Sequence, residues 1–140
     1  MPIEIRDLDG GLGNLIRGFG TLTGKEYKNS IKYHLSQDAE KFKKYRYSLC
    51  DFTKVTNLGV CSDDIEYVAE LCMEVSETNP NAVVAIIAEK DVIFGMSRMW
   101  EMMFGDNNWE VMVFKAKEGA EKWIRAKVRE KFGINDLTIG

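Results

Sequence analysis

Four aspartates, Asp51, Asp63, Asp64 and Asp91, stand where the hydrophobic pattern changes from strand to helix. In an open α/β sheet such positions gather at the carboxyl edge of the strands, where ligands bind. One or two carboxylates there suit magnesium. The same residues also suit plain helix starts. Ser62, Asp63 and Asp64 put an N-cap hydroxyl and two negative charges against a helix dipole, and Asp91 can cap the following helix. Cys61 precedes the first of these starts, where the dipole favours a reactive thiolate. A cysteine nucleophile needs a base, however, and the single histidine, His34, falls on the apolar face of a different helix. The three cysteines Cys50, Cys61 and Cys72 are an odd number with no CxxC pair, neither a disulfide framework nor a zinc site. Gly10-Gly11-Leu12-Gly13 resembles a phosphate-binding loop, but Ile16 replaces the third glycine of the dinucleotide fingerprint. No catalytic constellation emerges, and nothing calls for a cofactor.

The helix from Val92 to Phe104 is the more informative segment. Val92, Met96, Met99, Trp100 and Met103 supply an adequate inward stripe. Ile93, Phe94, Met102 and Phe104 then remain, too many apolar residues for one solvent-facing side. Such a helix is either buried twice or covers a binding surface, and methionine adapts well to irregular ligands and partners. The candidate ligand or partner surface is Ile93, Phe94, Met96, Arg98, Met99, Met102 and Phe104. The candidate helix-start loop holds Asp51, Cys61 and Ser62.

The elements that position these residues follow from periodicity. Ile3 to Leu8 alternates as a half-buried strand. Asp9-Gly10-Gly11 turns the chain into a returning strand from Leu15 to Thr21. Thr23 and Glu26 make a capping box for a helix burying Tyr27, Ile31, His34 and Leu35. A short lysine-rich helical turn from Asp38 to Lys44 follows. Tyr45 to Phe52 reads as a strand, then a loop through Val55 and Gly59. The next helix buries Ile65, Val68, Ala69, Cys72 and Val75 and stops at Asn79-Pro80-Asn81. Ala82 to Ala88 is apolar on both faces, as a central parallel strand should be. Strand Trp109 to Phe114 and helix Glu118 to Lys131 complete the order β-β-α-β-α-β-α-β-α. This order predicts a single α/β domain over residues 1–133, a mixed, mostly parallel sheet with an N-terminal hairpin. A loose tail is expected at residues 134–140.

With 140 residues, 45% of them apolar and 29% charged, the chain can bury a core without staples. A net charge of −3 provides no global attraction to nucleic acid or anionic lipid. The basic stretch from Lys25 to Arg46 is diluted by Glu26, Asp38 and Glu40 and reads as a solvated face, so no nucleic-acid partner is expected. No apolar run approaches the roughly 18 residues of a membrane span. Met1-Pro2-Ile3-Glu4-Ile5-Arg6 has neither a basic leader nor an apolar signal core. With reduced thiols, this predicts a cytoplasmic location.

Gly18-Phe19-Gly20-Thr21-Leu22-Thr23, Asp51-Phe52-Thr53-Lys54-Val55-Thr56, Ala85-Ile86-Ile87-Ala88, Phe94-Gly95-Met96-Ser97-Arg98-Met99-Trp100 and Trp109-Glu110-Val111-Met112-Val113-Phe114, in this order and spacing, resemble the SpoIIAA-like family. That family is related to the STAS domains of anti-sigma-factor antagonists. The resemblance covers residues 3 to 132 and implies the STAS scaffold. Those antagonists switch partners when a serine at a helix start is phosphorylated, in a pattern Asp-x-Ser-x-Val followed by Asp-Ser-Ser-Gly. Asp51-Phe52-Thr53-Lys54-Val55 looks like the first half. The second half falls on Gly59-Val60-Cys61-Ser62, with Val60 at the phosphoacceptor position, so no clear phosphoacceptor serine is present. Ser62 would serve only with a shifted loop. The broader family is also compared with CRAL-TRIO lipid-binding domains, which adds a small apolar ligand to the expectations.

The leading expectation is therefore a non-enzymatic regulatory or protein-interaction module, with a homodimer as one assembly. The alternative is a binder or carrier of a small apolar, lipid-like ligand under the Phe94–Phe104 helix. A metal-dependent enzyme using an acidic edge at Asp51 and Asp91 is third.

Overall fold

The computed structural model describes residues 3–37, 39–105 and 108–139. The expectations for Met1 and Pro2, for Asp38 and for the last residue of the tail lie outside the described residues. Strand β1 (Ile3–Leu8) pairs antiparallel with β2 (Gly13–Thr23) across a 3-10 turn at Asp9–Gly11, so the glycine-rich stretch is a hairpin. Helices α1 (Gly24–Gln37) and α2 (Ala39–Lys44) lead to β3 (Tyr47–Gly59). Next come α3 (Ser62–Thr78), β4 (Val83–Ile87), α4 (Asp91–Phe104), β5 (Glu110–Phe114) and α5 (Lys117–Phe132). The five strands lie in the order β1-β2-β3-β4-β5, and every pair after the hairpin is parallel. The expected mixed α/β sheet is thus present. Among the described residues no helix is long and apolar enough to cross a membrane.

Because successive parallel strands are laid down in one direction, their crossovers fall on the same face of the sheet. Helices α1, α3 and α4 pack there through Ile31, Ile65, Val68, Ile93, Trp100 and Phe104, against Ile16, Leu22, Val84 and Ile86 of the strands. On the opposite face α5 lays Ala120, Ile124 and Val128 over Leu15, Leu49, Val83, Ala85 and Ile87. All five residues of β4 are buried, because both faces of a central parallel strand are covered.

Local chemistry sets the boundaries. Thr23 Oγ1 accepts from the Glu26 amide at 3.2 Å while Glu26 Oε1 accepts from the Thr23 amide at 3.3 Å, the capping box expected for α1. Helix α3 ends before Asn79, whose side-chain amide donates to the carbonyls of Phe42 (2.6 Å) and Tyr45 (2.7 Å) and so fastens α3 to α2. Gly13 lies beside Tyr47 so closely that a β-carbon there would sit 2.1 Å from the ring. Tyr47 is fully buried and its hydroxyl donates to Asp9, so the ring cannot easily step aside. Gly13→Ala is therefore expected to cost about 2 kcal/mol through overpacking, read as a lower urea midpoint. An unchanged midpoint would show that the ring is free to move.

Four expectations are corrected. The segment after Phe52 is not a loop: β3 runs on to Gly59, pairing with β2 through two register shifts after Arg17 and Gly20. Thr56 and Asn57 are exposed and Thr53 half-buried while Val55 is buried, so most of the segment's side chains stay polar and open to solvent. Cys61, not Ser62, is the N-cap of α3, and Lys90, not Asp91, is the N-cap of α4. The inward stripe of α4 is Ile93, Ser97, Trp100 and Phe104, whereas Val92 is 70% exposed. Finally, residues 134–139 are not loose. Gly133, in the left-handed region at φ 70°, ends α5. Leu137 and Ile139 then insert into the α5-side core. Asp9 Oδ1 accepts from the Thr138 amide and hydroxyl, both at 2.7 Å, and Asp9 Oδ2 from the Ile139 amide at 3.1 Å.

Candidate functional site

Between the sheet and the α1–α3–α4 layer lies a cavity of about 120 Å³. Strands β2, β3 and β4 contribute Ile16, Cys50 and Val84 to its floor, and Ile31, Val68, Met96 and Trp100 come from the helices above. A single water needs about 10–15 Å³ by a comparable measure, and an apolar cavity of about 150 Å³ suffices for benzene. Cys50 on β3 and Cys72 on α3 place small side chains on opposing walls, which leaves room that leucines would fill. Cys50 is half-buried within the sheet and lines the cavity.

The described lining contains no lysine, arginine, aspartate or glutamate. Tyr27, His34, Cys50 and Cys72 on its walls are each pushed toward the neutral form. Desolvation raises the Tyr27 hydroxyl well above its ordinary value, helped by the neighbouring Cys72 and Cys50. Desolvation likewise lifts Cys72 to about 12, with Cys50 adding to it. Cys50 is also pushed up to about 12 by desolvation, against the hydrogen bond with Ser48 and with the charge of Asp51 assisting. His34 falls to about 4, chiefly through desolvation and then the positive charge of Lys41, with Asp7 opposing. The walls are uncharged near neutral pH.

A few polar atoms interrupt this lining. Asn14, on β2 at the turn end of the hairpin, is 4% exposed, and its Nδ2 lies 3.2 Å from His34 Nε2. An amide nitrogen only donates, so Nε2 of the neutral ring accepts. Among the described residues nothing donates to Asn14 Oδ1, and nothing accepts from Trp100 Nε1. Both residues line the cavity. Trp109, also on its wall, is satisfied, its Nε1 donating to the Asn79 carbonyl at 2.8 Å. Buried polar atoms are nearly always paired; these two are exceptions, and each is itself closed off by its neighbours.

The structure divides the candidate surface on α4. Ile93 and Met96 line the cavity. Phe104 is fully buried and stacks between Trp100 and Trp109, with ring centroids 5.3 and 5.7 Å away. Phe94 is half-buried, with Lys115 Nζ 4.9 Å from its ring centroid. Arg98 is exposed and pairs with Glu101 at 2.9 Å. Met99 is half-buried and Met102 is 74% exposed; with Val92 and Gly95 they form an outward stripe. The helix therefore carries two apolar faces, one toward the cavity and one toward solvent.

The helix-start loop does not converge. Asp51 lies within β3, its Oδ1 accepting from the Thr53 amide at 2.9 Å and hydroxyl at 2.7 Å. Eight strand positions, roughly 25 Å at a strand's rise, separate it from Gly59 at the strand's end. Cys61 is exposed; its amide donates to Asp64 Oδ2 at 3.0 Å and its Sγ lies 3.2 Å from the same oxygen. Asp64 is held below the usual carboxylate range, first by that backbone bond, against desolvation, with Cys61 Sγ and the Lys28 ammonium 3.1 Å away adding to it. Ser62 is an exposed first residue of α3, and Val60 is buried. Asp91 pairs with Lys115 at 2.7 Å. Among the described residues no three His, Cys, Asp or Glu side chains gather as a metal set, so the acidic edge is dispersed into caps and ion pairs.

Sequence reasoning missed Asn14 and the unpaired indole of Trp100. Asn14 is a polar residue beside Leu15 and Ile16 in a strand buried on both sides, which is the one signal that would have singled it out.

Two solved structures share this architecture. A protein from the DUF3478 family with a SpoIIAA-like fold, from Shewanella loihica PV-4, is 18% identical, with a TM-score of 0.52 over 87% of this chain and 91% of its own. The anti-sigma factor antagonist SpoIIAA in its unphosphorylated form is 14% identical, with a TM-score of 0.57 over 88% of this chain and 97% of its own. No family model matches the sequence, and no curated protein is similar to it. At these identities the likeness establishes a SpoIIAA-like fold and nothing narrower.

Proposed function

We propose that this chain, on its SpoIIAA-like α/β fold, is a non-catalytic binding module that holds one small, largely apolar molecule between the sheet and the α1–α3–α4 layer. The observation that carries this reading is the cavity of about 120 Å³ with apolar, uncharged walls. Packed interiors leave few voids larger than a water, so a space of this size in a small domain calls for an occupant. The free thiols of Cys50, Cys61 and Cys72 fit a reducing, cytoplasmic setting.

Native mass spectrometry of the purified protein, compared with its denatured mass, tests the reading. The expected result is an added mass that disappears on denaturation, or, for protein stripped of it, a rise in melting temperature in benzene-saturated buffer. A bare native mass together with no benzene shift overturns the reading.

A second reading rests on the outward stripe of Val92, Met99 and Met102 on α4. An apolar stripe on the solvent side of a helix suits contact with a protein. The structurally similar anti-sigma factor antagonist is named for acting on another protein. A clean dimer in the same native spectrum, dissociated by Met102→Lys, favours this interaction role.

A further inference from the structure

We infer that the outer edge of β5 is a homodimer interface, where a second copy of this chain adds its own β5 antiparallel about a two-fold axis at Met112. The inference rests on the interaction reading of the domain and names its partner; it does not depend on an occupied cavity.

The sheet has two edges, β1 and β5. Edge strands pair with other chains unless charges, prolines or bulges blunt them. Strand β1 is blunted, because Glu4, Arg6 and Asp7 interrupt it. Strand β5 is not. It reads Glu110-Val111-Met112-Val113-Phe114, with a single charge at its first position. That charge is turned back on its own chain, paired with Lys127 at 3.0 Å and Lys131 at 3.2 Å. Met112 is 42% exposed. A surface groove links Val111 and Trp109 to Met102, so the edge is continuous with the outward stripe of α4.

The direction of the backbone bonds fixes what can dock. The Glu110 amide donates to the Ala82 carbonyl at 3.2 Å, and the Phe114 carbonyl accepts from the Ala88 amide at 2.8 Å. These groups alternate in direction along a strand. Glu110, Met112 and Phe114 therefore bond toward β4, while Val111 and Val113 present theirs outward. Among the described residues β5 pairs with β4 alone. Two outward residues with one between them complement themselves, as a two-fold interface requires. In an antiparallel pair, Val111 of each copy exchanges both bonds with Val113 of the other. Met112 then faces Met112 of the second copy as a non-hydrogen-bonded pair, where side chains come closest. Charge favours the same register. Glu110 falls opposite Phe114, so the two Glu110 positions stay about 13 Å apart along the strands. Lys115 of each copy comes alongside the Glu110 end of the other.

Disulfide trapping tests the register. The Cys61→Ser background removes the exposed native thiol. In it, Met112→Cys is expected to give a disulfide-linked dimer under mild oxidation, because facing Cα atoms in such a pair lie about 4.5 Å apart, within disulfide reach. Tyr33→Cys, more exposed but on α1, should give none. Met112→Lys sets two ammonium groups face to face, and the dimer should be lost from the native mass spectrum. A dimer that Met112→Cys does not cross-link overturns the inference. So does a dimer dissolved by Met102→Lys and not by Met112→Lys, which leaves the interaction role on α4 in place. A wild-type protein that is wholly monomeric removes both the inference and the dimeric form of the reading beneath it.

Discussion

Phe104→Ala is expected to lower the unfolding free energy by about 3–5 kcal/mol, the range for deleting a large buried aromatic. Phe104 has no exposed surface and stacks at 24° on Trp100 and at 14° on Trp109. It therefore joins the end of α4 to the start of β5, and its loss would also enlarge the neighbouring cavity. Collapse into the gap is opposed by the indoles on either side, one of them fixed by its bond to the Asn79 carbonyl. Met102→Lys, two positions earlier on the same helix, should change stability by no more than about 0.5 kcal/mol, because Met102 is 74% exposed. Urea denaturation of the pair measures the phase of α4 directly. A larger loss for Met102→Lys than for Phe104→Ala would mean that the helix is rotated from the position described.

Asp9→Ala is expected to cost about 3 kcal/mol, since hydrogen bonds to a charged acceptor are worth about 1.5–3 kcal/mol each but do not add fully. Asp9 accepts from the Thr138 amide and hydroxyl, from the Ile139 amide and from the Tyr47 hydroxyl. Removing it leaves the Tyr47 hydroxyl unpaired and releases Leu137 and Ile139 from the α5-side core. Ile139 sits at φ 49°, a costly conformation for a β-branched residue, so its segment should leave once the carboxylate is gone. The same carboxylate makes stability depend on pH. Desolvation raises its pKa, but the bonds from Thr138, Tyr47 and Ile139 outweigh that and bring it down to about 2 from 3.8. A depressed carboxylate pKa contributes stability that is present above the unfolded value and lost as pH falls through the folded one. Discounted for partial solvent exposure, this amounts to about 1–2 kcal/mol, lost between about pH 4 and pH 2 and missing from the pH profile of Asp9→Ala. Equal acid sensitivity in the two proteins would exclude the staple as its source.

The parts of this fold that were legible in the sequence are those where one interaction dominates. The alternation from Ile3 to Leu8 gave a strand with the bounds observed, Thr23 and Glu26 form the capping box, and the unbroken apolar run at Ala82–Ala88 is the central strand. Helix α4 hides its phase because its nine apolar residues are spread around the helix while its inward stripe includes Ser97. The end of β3 is hidden because Thr53, Lys54, Thr56 and Asn57 look like a loop when no partner strand is known. The packing of the tail is hidden because its anchor, Asp9, lies 129 positions earlier in the chain. The cavity was beyond reach for a different reason. A void is set by the summed shapes of side chains from seven elements, and no single residue announces it. The SpoIIAA-like resemblance anticipated the scaffold, and the two structural neighbours share it.

The two faces of the sheet are filled unequally. Under α5, residues Val83, Ala85, Ile87, Ala120, Ile124 and Val128 are all without exposed surface, and the Asp9 clasp lies on that side. The opposite face holds the void. Local opening draws on the least densely packed units of a protein, so the packing predicts a rigid back and a yielding front. Breathing of α1 away from β2 would admit a molecule without disturbing the strands or α5. Filling the void would add contacts on that side alone, so any effect of an occupant would be a change in the mobility of one layer rather than in the shape of the whole.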